Sequence, residues 1–366
     1  MQASSGNKPD GGIKNLQQEE KKVKHKKLIM AIFVVFNIAV IAYTAYTEYH
    51  SGSSAEAFWK IHVSWLFLLP AIGCCIGAIL LESLKYALVM KQVGVRMDMP
   101  LAAKTVLIGR YYDNITPSGI GGQPMQIYYL NKNGVPGAES AAITVAGFVT
   151  MQLGFVILAL FSVLFLGRYV EVNVVRTLAY FGIIMYSVSP TMIMLFTYRP
   201  GFAMKLTRGI VSFLAKLHIV RNKEKAASRY VETVQKYSDC VKVLVEQKKM
   251  CAITLFLGIL YQCAICSIPY FVIQAFGGGI GFLSTFATTV VIYAAITFIP
   301  TPGNSGVAEG VFYAVFSMLT SGYIFWAMLV WRFLVYYIFI LVGIVIHVFE
   351  FIGKKKHAHH TQNEEK

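Results

Sequence analysis

The chain has 366 residues, of which 56% are hydrophobic and only 14% charged, with mean hydropathy +0.57. A soluble domain of this length carries about a quarter charged residues, so apolar surface on this scale belongs in lipid rather than around a water-soluble core. The formal net charge of +15 comes without a nucleic-acid-binding motif, and its basic residues flank apolar runs, which is a signature of membrane topology and excludes nucleic acid as the expected partner.

Residues 1–27 form a polar, basic leader expected to be disordered. The first apolar run begins at Leu28 behind Lys21, Lys22, Lys24, Lys26 and Lys27 and reads as a retained signal-anchor helix over 28–47. The loop 48–57 holds Glu48 and Glu56 and no Lys or Arg. A second span over 62–84 is followed by Lys85, Lys91 and Arg96. Residues 98–137 are moderately apolar pieces interrupted by Pro and Gly, left open between turn and helix, and further spans follow at 138–167 and 175–198.

The segment 199–249 is strongly basic, with Lys205, Arg208, Lys216, Arg221, Lys223, Lys225 and Arg229. Leu206, Ile210, Phe213, Leu214 and Leu217 recur at helical spacing, which predicts amphipathic helices on the cytoplasmic leaflet. Spans at 250–275 and 282–300 are joined by Gly277, Gly278, Gly279 and Gly281. A short helix at 305–320 and a last span at 323–352 complete the series, ahead of Lys354, Lys355 and Lys356 in a disordered tail, 353–366. The pattern predicts an all-α polytopic membrane protein with one domain, 28–352. It has about eight transmembrane helices, and both termini lie on the cytoplasmic side by the positive-inside rule.

The six cysteines do not form a disulfide framework, and the Cys263–Cys266 pair reads as packing within a span. No histidine spacing suits zinc, no phosphate-binding loop or nucleophile elbow is present, and no cofactor or metal is expected.

Two segments break the run of plain apolar helices. One extends from Arg110 to Pro124, the other from Pro300 through Gly306 to Glu309. Irregular backbone at membrane depth persists only where it is buried in protein or lines a wet cavity, and interrupted helices in corresponding parts of two halves point to a transporter's binding site. Glycine N–H groups and helix N-termini can hold a phosphate. The first break supplies Arg110, Asn114, Pro117, Gly119, Gly121, Gly122 and Gln123 as candidate lipid-phosphate ligands, and the second Pro302, Gly303, Ser305, Gly306 and Glu309. Arg332 lies deep in the last span, where it needs a partner, and Glu309 is the natural one. Glu82 and Lys85, three residues apart, are expected to pair with each other. The two breaks are expected to meet in space, because each alone leaves main-chain groups unpaired in low dielectric.

At these breaks the chain resembles the transmembrane, flippase-like region of bacterial lysylphosphatidylglycerol synthases, which also occurs as stand-alone membrane proteins. Pro117, Gly119, Gly121, Gly122, Pro124, Tyr128, Tyr129 and Leu130 fit the first motif, and Pro300, Pro302, Gly303, Gly306, Glu309 and Arg332 the second. Gln123 stands where the pattern has Glu, and Asn304 where it has a second Gly. The resemblance, over roughly 28–350, implies a protein of the bacterial plasma membrane that binds and translocates a phospholipid or polyprenyl-linked lipid. It further implies a link to lysyl-lipid modification and resistance to cationic peptides. Expected partners are anionic phospholipid and a separate transferase or glycosyltransferase. The alternatives are an aminoacyl-tRNA-dependent phosphatidylglycerol lysyltransferase, the activity the family name carries, and a non-transporting membrane partner of a separate transferase.

Overall fold

The computed structural model describes residues 46, 63–116, 119–167, 170, 173–198, 246–296, 299, 301–321 and 323–350. The leader, the first span at 28–47, almost all of the basic segment 199–249 and the tail 353–366 lie outside the described residues. So do Pro117 and Pro300.

Every regular element described is helical. The helices are α1 Trp65–Gln92, α2 Met99–Ile115, α3 Gly122–Lys132, α4 Gly137–Phe165 and α5 Asn173–Tyr198, followed by α6 Lys248–Ala275, α7 Phe282–Ile296, α8 Val307–Leu319 and α9 Ile324–Glu350. Four of them, α1, α4, α6 and α9, are long and apolar enough to cross a membrane. The stretch Thr177–Ile193 of α5, together with α7 and α8, forms shorter apolar helices. The polytopic helical bundle with two breaks is therefore the architecture read from the sequence. The segment left open at 98–137 resolves into α2 and α3.

The elements fall into two matching series. α1 to α4 have 28, 17, 11 and 29 residues, and α6 to α9 have 28, 15, 13 and 27. Both first helices end in the same glycine cap: Gly94 at φ +78° with Val95 N–H donating to Met90 O at 3.0 Å, and Gly277 at φ +83° with Gly278 N–H donating to Ile273 O at 2.9 Å. Glycine takes this left-handed turn at no steric cost and closes the last carbonyls of the helix.

The series run in opposite directions. Gln247 Nε2 donates to Gln92 O at 3.5 Å, which puts the start of α6 beside the end of α1. At the other end Ser64 N–H donates to Ala275 O at 2.9 Å. α1 and α6 are thus antiparallel, and the two described series are inverted relative to each other, an arrangement common among transporters. α4 and α6 pack without intervening side chains: a Cβ on Gly258 would lie 2.8 Å from Thr150 O, and one on Gly154 would lie 3.0 Å from the Gly258 carbonyl carbon. In lipid, where exclusion of water gives helices no reason to associate, such close backbone contact is a main source of attraction. Gly258→Leu is expected to cost about 1–3 kcal/mol by overpacking, measured as a lowered unfolding midpoint in detergent, while Leu at lipid-facing Phe256 is expected to leave the midpoint unmoved.

Each broken pair of helices is a hairpin that returns to the end it left. Gly279 N–H donates to Thr320 Oγ1 at 2.8 Å and Tyr323 N–H donates to Phe276 O at 3.2 Å, so α7 and α8 open and close at one end. At the opposite end Val89, Met90, Leu130, Val135 and Ala142 share a buried cluster, and Lys132 pairs with Glu350, so α2 and α3 open and close there. Their lengths, about 26, 16, 22 and 20 Å at 1.5 Å per residue, fall short of about 30 Å of hydrocarbon. A hairpin and two full crossings return the chain to the same side, so the charge argument for topology holds with either.

Candidate functional site

The two hairpin tips meet. Asn114 Nδ2 donates to Tyr336 O at 3.1 Å, and the Tyr336 hydroxyl donates back to Asn114 O at 3.1 Å. Tyr336 lies in a π-helical turn, Phe333–Tyr337, that interrupts α9. Such turns change the helix's hydrogen-bond pattern and favour functional positions. Tyr336 stands about 18 Å along α9 from its start and about 21 Å from its end, so the junction is at mid-bundle. On the second tip Gly303 and Asn304 both take positive φ, +55° and +54°. A Cβ at Gly303 would fall 2.8 Å from Tyr336 Cδ2 and 3.4 Å from Asn114 Oδ1. The expected meeting of the breaks is thus found, although nearly half of the chain separates them in sequence.

Arg332 and Glu309 form a buried pair at this junction. Arg332 Nε donates to Glu309 Oε1 at 2.7 Å and Nη2 to Oε2 at 3.0 Å, with a longer contact of 3.4 Å from Nη2 to Gly303 O. The guanidinium also lies over the rings of Trp331 and Tyr336, at 5.2 and 4.9 Å from their centroids. The pairing expected for Arg332 is therefore the one observed.

A second buried pair lies by the first tip, and here the sequence expectation is corrected. Glu82 pairs with Arg110, whose Nη2 and Nε donate to Glu82 Oε2 at 2.8 and 3.1 Å, and not with Lys85. Lys85 Nζ donates to Gly147 O at 2.9 Å instead. The reason is packing: this face of α1 is covered by α2 and α4, so partners on those helices are better placed than one three residues along in the same helix. Arg110 also lies over Tyr261, 5.0 Å from the ring centroid.

Three of the candidate glycine N–H groups are already taken within the protein. Gly122 N–H donates to Asp113 Oδ1 at 2.8 Å, Gly121 N–H to Thr116 Oγ1 at 2.9 Å, and Gly306 N–H to Glu309 Oε2 at 2.6 Å. The start of each returning helix is capped by a carboxylate of the tip itself, which meets the helix dipole and the unpaired donors together. The phosphate cradle of main-chain N–H groups expected from the glycines is already filled from within the protein. The cations at the junction are the two arginines, each held by a carboxylate.

Of the other candidates, Ser305 Oγ donates to Glu309 Oε1 at 3.2 Å, Gly119 turns the first tip at φ +61°, and Pro302 opens the 3-10 turn Pro302–Asn304. Gln123, in the first turn of α3, has no hydrogen-bond partner among the described residues. Sequence reasoning passed over Asp113, Thr116, Tyr261 and Tyr336. Tyr336 could have been found, since it stands one helical turn beyond Arg332 and shares its face. Asp113 could have been found as the one carboxylate in the first break.

The sequence model of one protein family, described as the lysylphosphatidylglycerol synthase TM region, matches residues 28–343. The chain is also similar to a UPF0104 membrane protein of Archaeoglobus fulgidus, with 24% identity over 268 residues, covering 70% of this chain and 78% of that one.

Proposed function

The chain belongs to the family of the lysylphosphatidylglycerol synthase transmembrane region, and from that premise we propose that it passes the head group of a phospholipid or polyprenyl-linked lipid between leaflets. The observation that carries this reading is the meeting, at mid-bundle, of two hairpins that enter from opposite ends, each with a buried arginine–carboxylate pair. A head group crossing hydrocarbon needs polar contacts at mid-depth while its acyl tails stay in lipid. Arginine suits this use, because its planar fork binds a phosphate through two parallel hydrogen bonds.

The two pairs differ in access. The Arg110 side chain is 21% exposed and that of Arg332 only 5%. Arg110 makes the first contact with an incoming phosphate. The mutual hydrogen bonds of Asn114 and Tyr336 hold the junction beyond it closed. Anionic phospholipid is the preferred cargo, with a separate transferase or glycosyltransferase supplying modified lipid. Lys91, Arg96, Lys104, Lys132, Lys248 and Lys249 gather at one end of the bundle, which favours a plasma-membrane protein with that end and both termini in the cytoplasm.

Reconstitution in liposomes with head-group-labelled phosphatidylglycerol tests the reading. The double variant Glu82→Gln/Arg110→Gln removes both charges of the pair together, so neither is left without the other. It is expected to slow exchange about tenfold or more, which corresponds to about 1.4 kcal/mol at the barrier. Exchange at the wild-type rate by the folded double variant would sink the proposal. Tyr336→Phe removes one bond of the closed junction, worth about 1 kcal/mol, and is expected to raise the exchange rate several-fold in the same assay.

A further inference from the structure

We propose that the cleft between α2, α3 and the end of α9 is a docking site for a lipid head group that carries a phosphate and a primary ammonium together. The cleft is a cavity of about 290 Å³. Its charged wall is the ion pair of Lys132 and Glu350, whose side chains are 30% and 33% exposed. Its aromatic wall is Tyr112, Tyr128 and Tyr129, with the Lys132 ammonium 5.7 Å from the Tyr129 ring centroid. His347 closes the side: Nδ1 lies 2.7 Å from Gly343 O, and Nε2 lies 3.3 Å from the Tyr112 hydroxyl. A carbonyl only accepts, so Nδ1 carries a proton and donates it to Gly343 O.

The lining thus sets the Lys132 ammonium beside the Glu350 carboxylate. A purely anionic head group would face Glu350, and a purely cationic one would face Lys132. A head group bearing both signs exchanges one exposed bridge, of small value in water, for two charge-assisted contacts: phosphate to Lys132, and ammonium to Glu350. The carboxylate favours a primary ammonium, which has N–H groups to donate. A trimethylated one has none and keeps only the attraction of the tyrosine faces. Ile108 and Met125 complete the floor with apolar surface for the glycerol and the first methylenes. Tyr128, 59% exposed, leaves the mouth open to the surroundings. Docking here does not require that the lipid go on to cross.

The test is retention of lipid by the purified full chain, read by native mass spectrometry after exposure to an equimolar mixture of phosphatidylethanolamine, phosphatidylcholine and phosphatidylglycerol. The expected result is a preference of about tenfold for phosphatidylethanolamine over either competitor, lost in Glu350→Gln. The double variant Lys132→Glu/Glu350→Lys keeps a bridge between α3 and α9 but reverses its order, and is expected to lose the preference as well. Equal retention of the three lipids overturns the proposal. Wild-type preference in the reversed double variant overturns it too, since the pair would then be only a clasp between helices. Water-soluble glycerophosphoethanolamine shares the head-group chemistry and is expected to displace the lipid poorly. Displacement at equal concentration would make the site one for the free ester and overturn the lipid assignment. None of these readouts depends on exchange between leaflets.

Discussion

Replacing Glu309 by alanine is expected to cost about 3–5 kcal/mol of stability, the usual effect of removing one member of a buried ion pair. The carboxylate does three things at once. It takes two hydrogen bonds from Arg332, one from Ser305 and one from the Gly306 main chain. Without it the Arg332 guanidinium stays buried with a long contact to Gly303 O and the faces of Trp331 and Tyr336 but no counter-charge, and the start of α8 loses its cap. Much of the cost is the stranded charge, so Glu309→Ala with Arg332→Met is expected to be more stable than Glu309→Ala alone. Unfolding midpoints in detergent measure both. A double variant no more stable than the single one would show that the cap, and not the charge, dominates.

The second large effect is expected at Gly303. Its φ of +55° lies where a side chain is disfavoured by about 1–2 kcal/mol, and the ring of Tyr336 already fills the space beside it. Overpacking adds about 1–3 kcal/mol. Gly303→Val is thus expected to lower the unfolding midpoint steeply and to separate the tips. Asn304→Gly, at the neighbouring left-handed residue, is expected to change stability by no more than about 0.5 kcal/mol. Asparagine tolerates that conformation and glycine prefers it. A steep loss in Asn304→Gly would mean that the asparagine side chain, and not the backbone turn, holds the position.

The same residue shows how the sequence carried part of the site. Asn304 stands where the resemblance has a second glycine, and its φ of +54° is a conformation that glycine also takes freely. The breaks, the meeting of their tips and the Arg332–Glu309 pair were legible because charge and irregular backbone in hydrocarbon each require a partner. Three features were not. The partner of Glu82 depends on which neighbouring helix covers α1, and spacing along α1 says nothing of that. The filled glycine N–H groups depend on Asp113 and Thr116 folding back over the first tip. The hairpins were hidden because an apolar helix of 15 residues reads the same whether it crosses or turns back. The meeting of the tips beside Tyr336, half-way along α9, is what shows the turn-back.

The inverted arrangement of the two series has a consequence for direction. Two halves that run oppositely offer similar surfaces to the two leaflets, so a machine built of matched halves has no preferred direction of its own. Any bias must come from residues that differ between the halves. The most distinct of these are at one end: the Lys132–Glu350 cleft, formed where the first hairpin lies along α9. On the proposed function, exchange through such a passage runs equally well in either direction, and the lipid gradient across the bilayer sets the net flow.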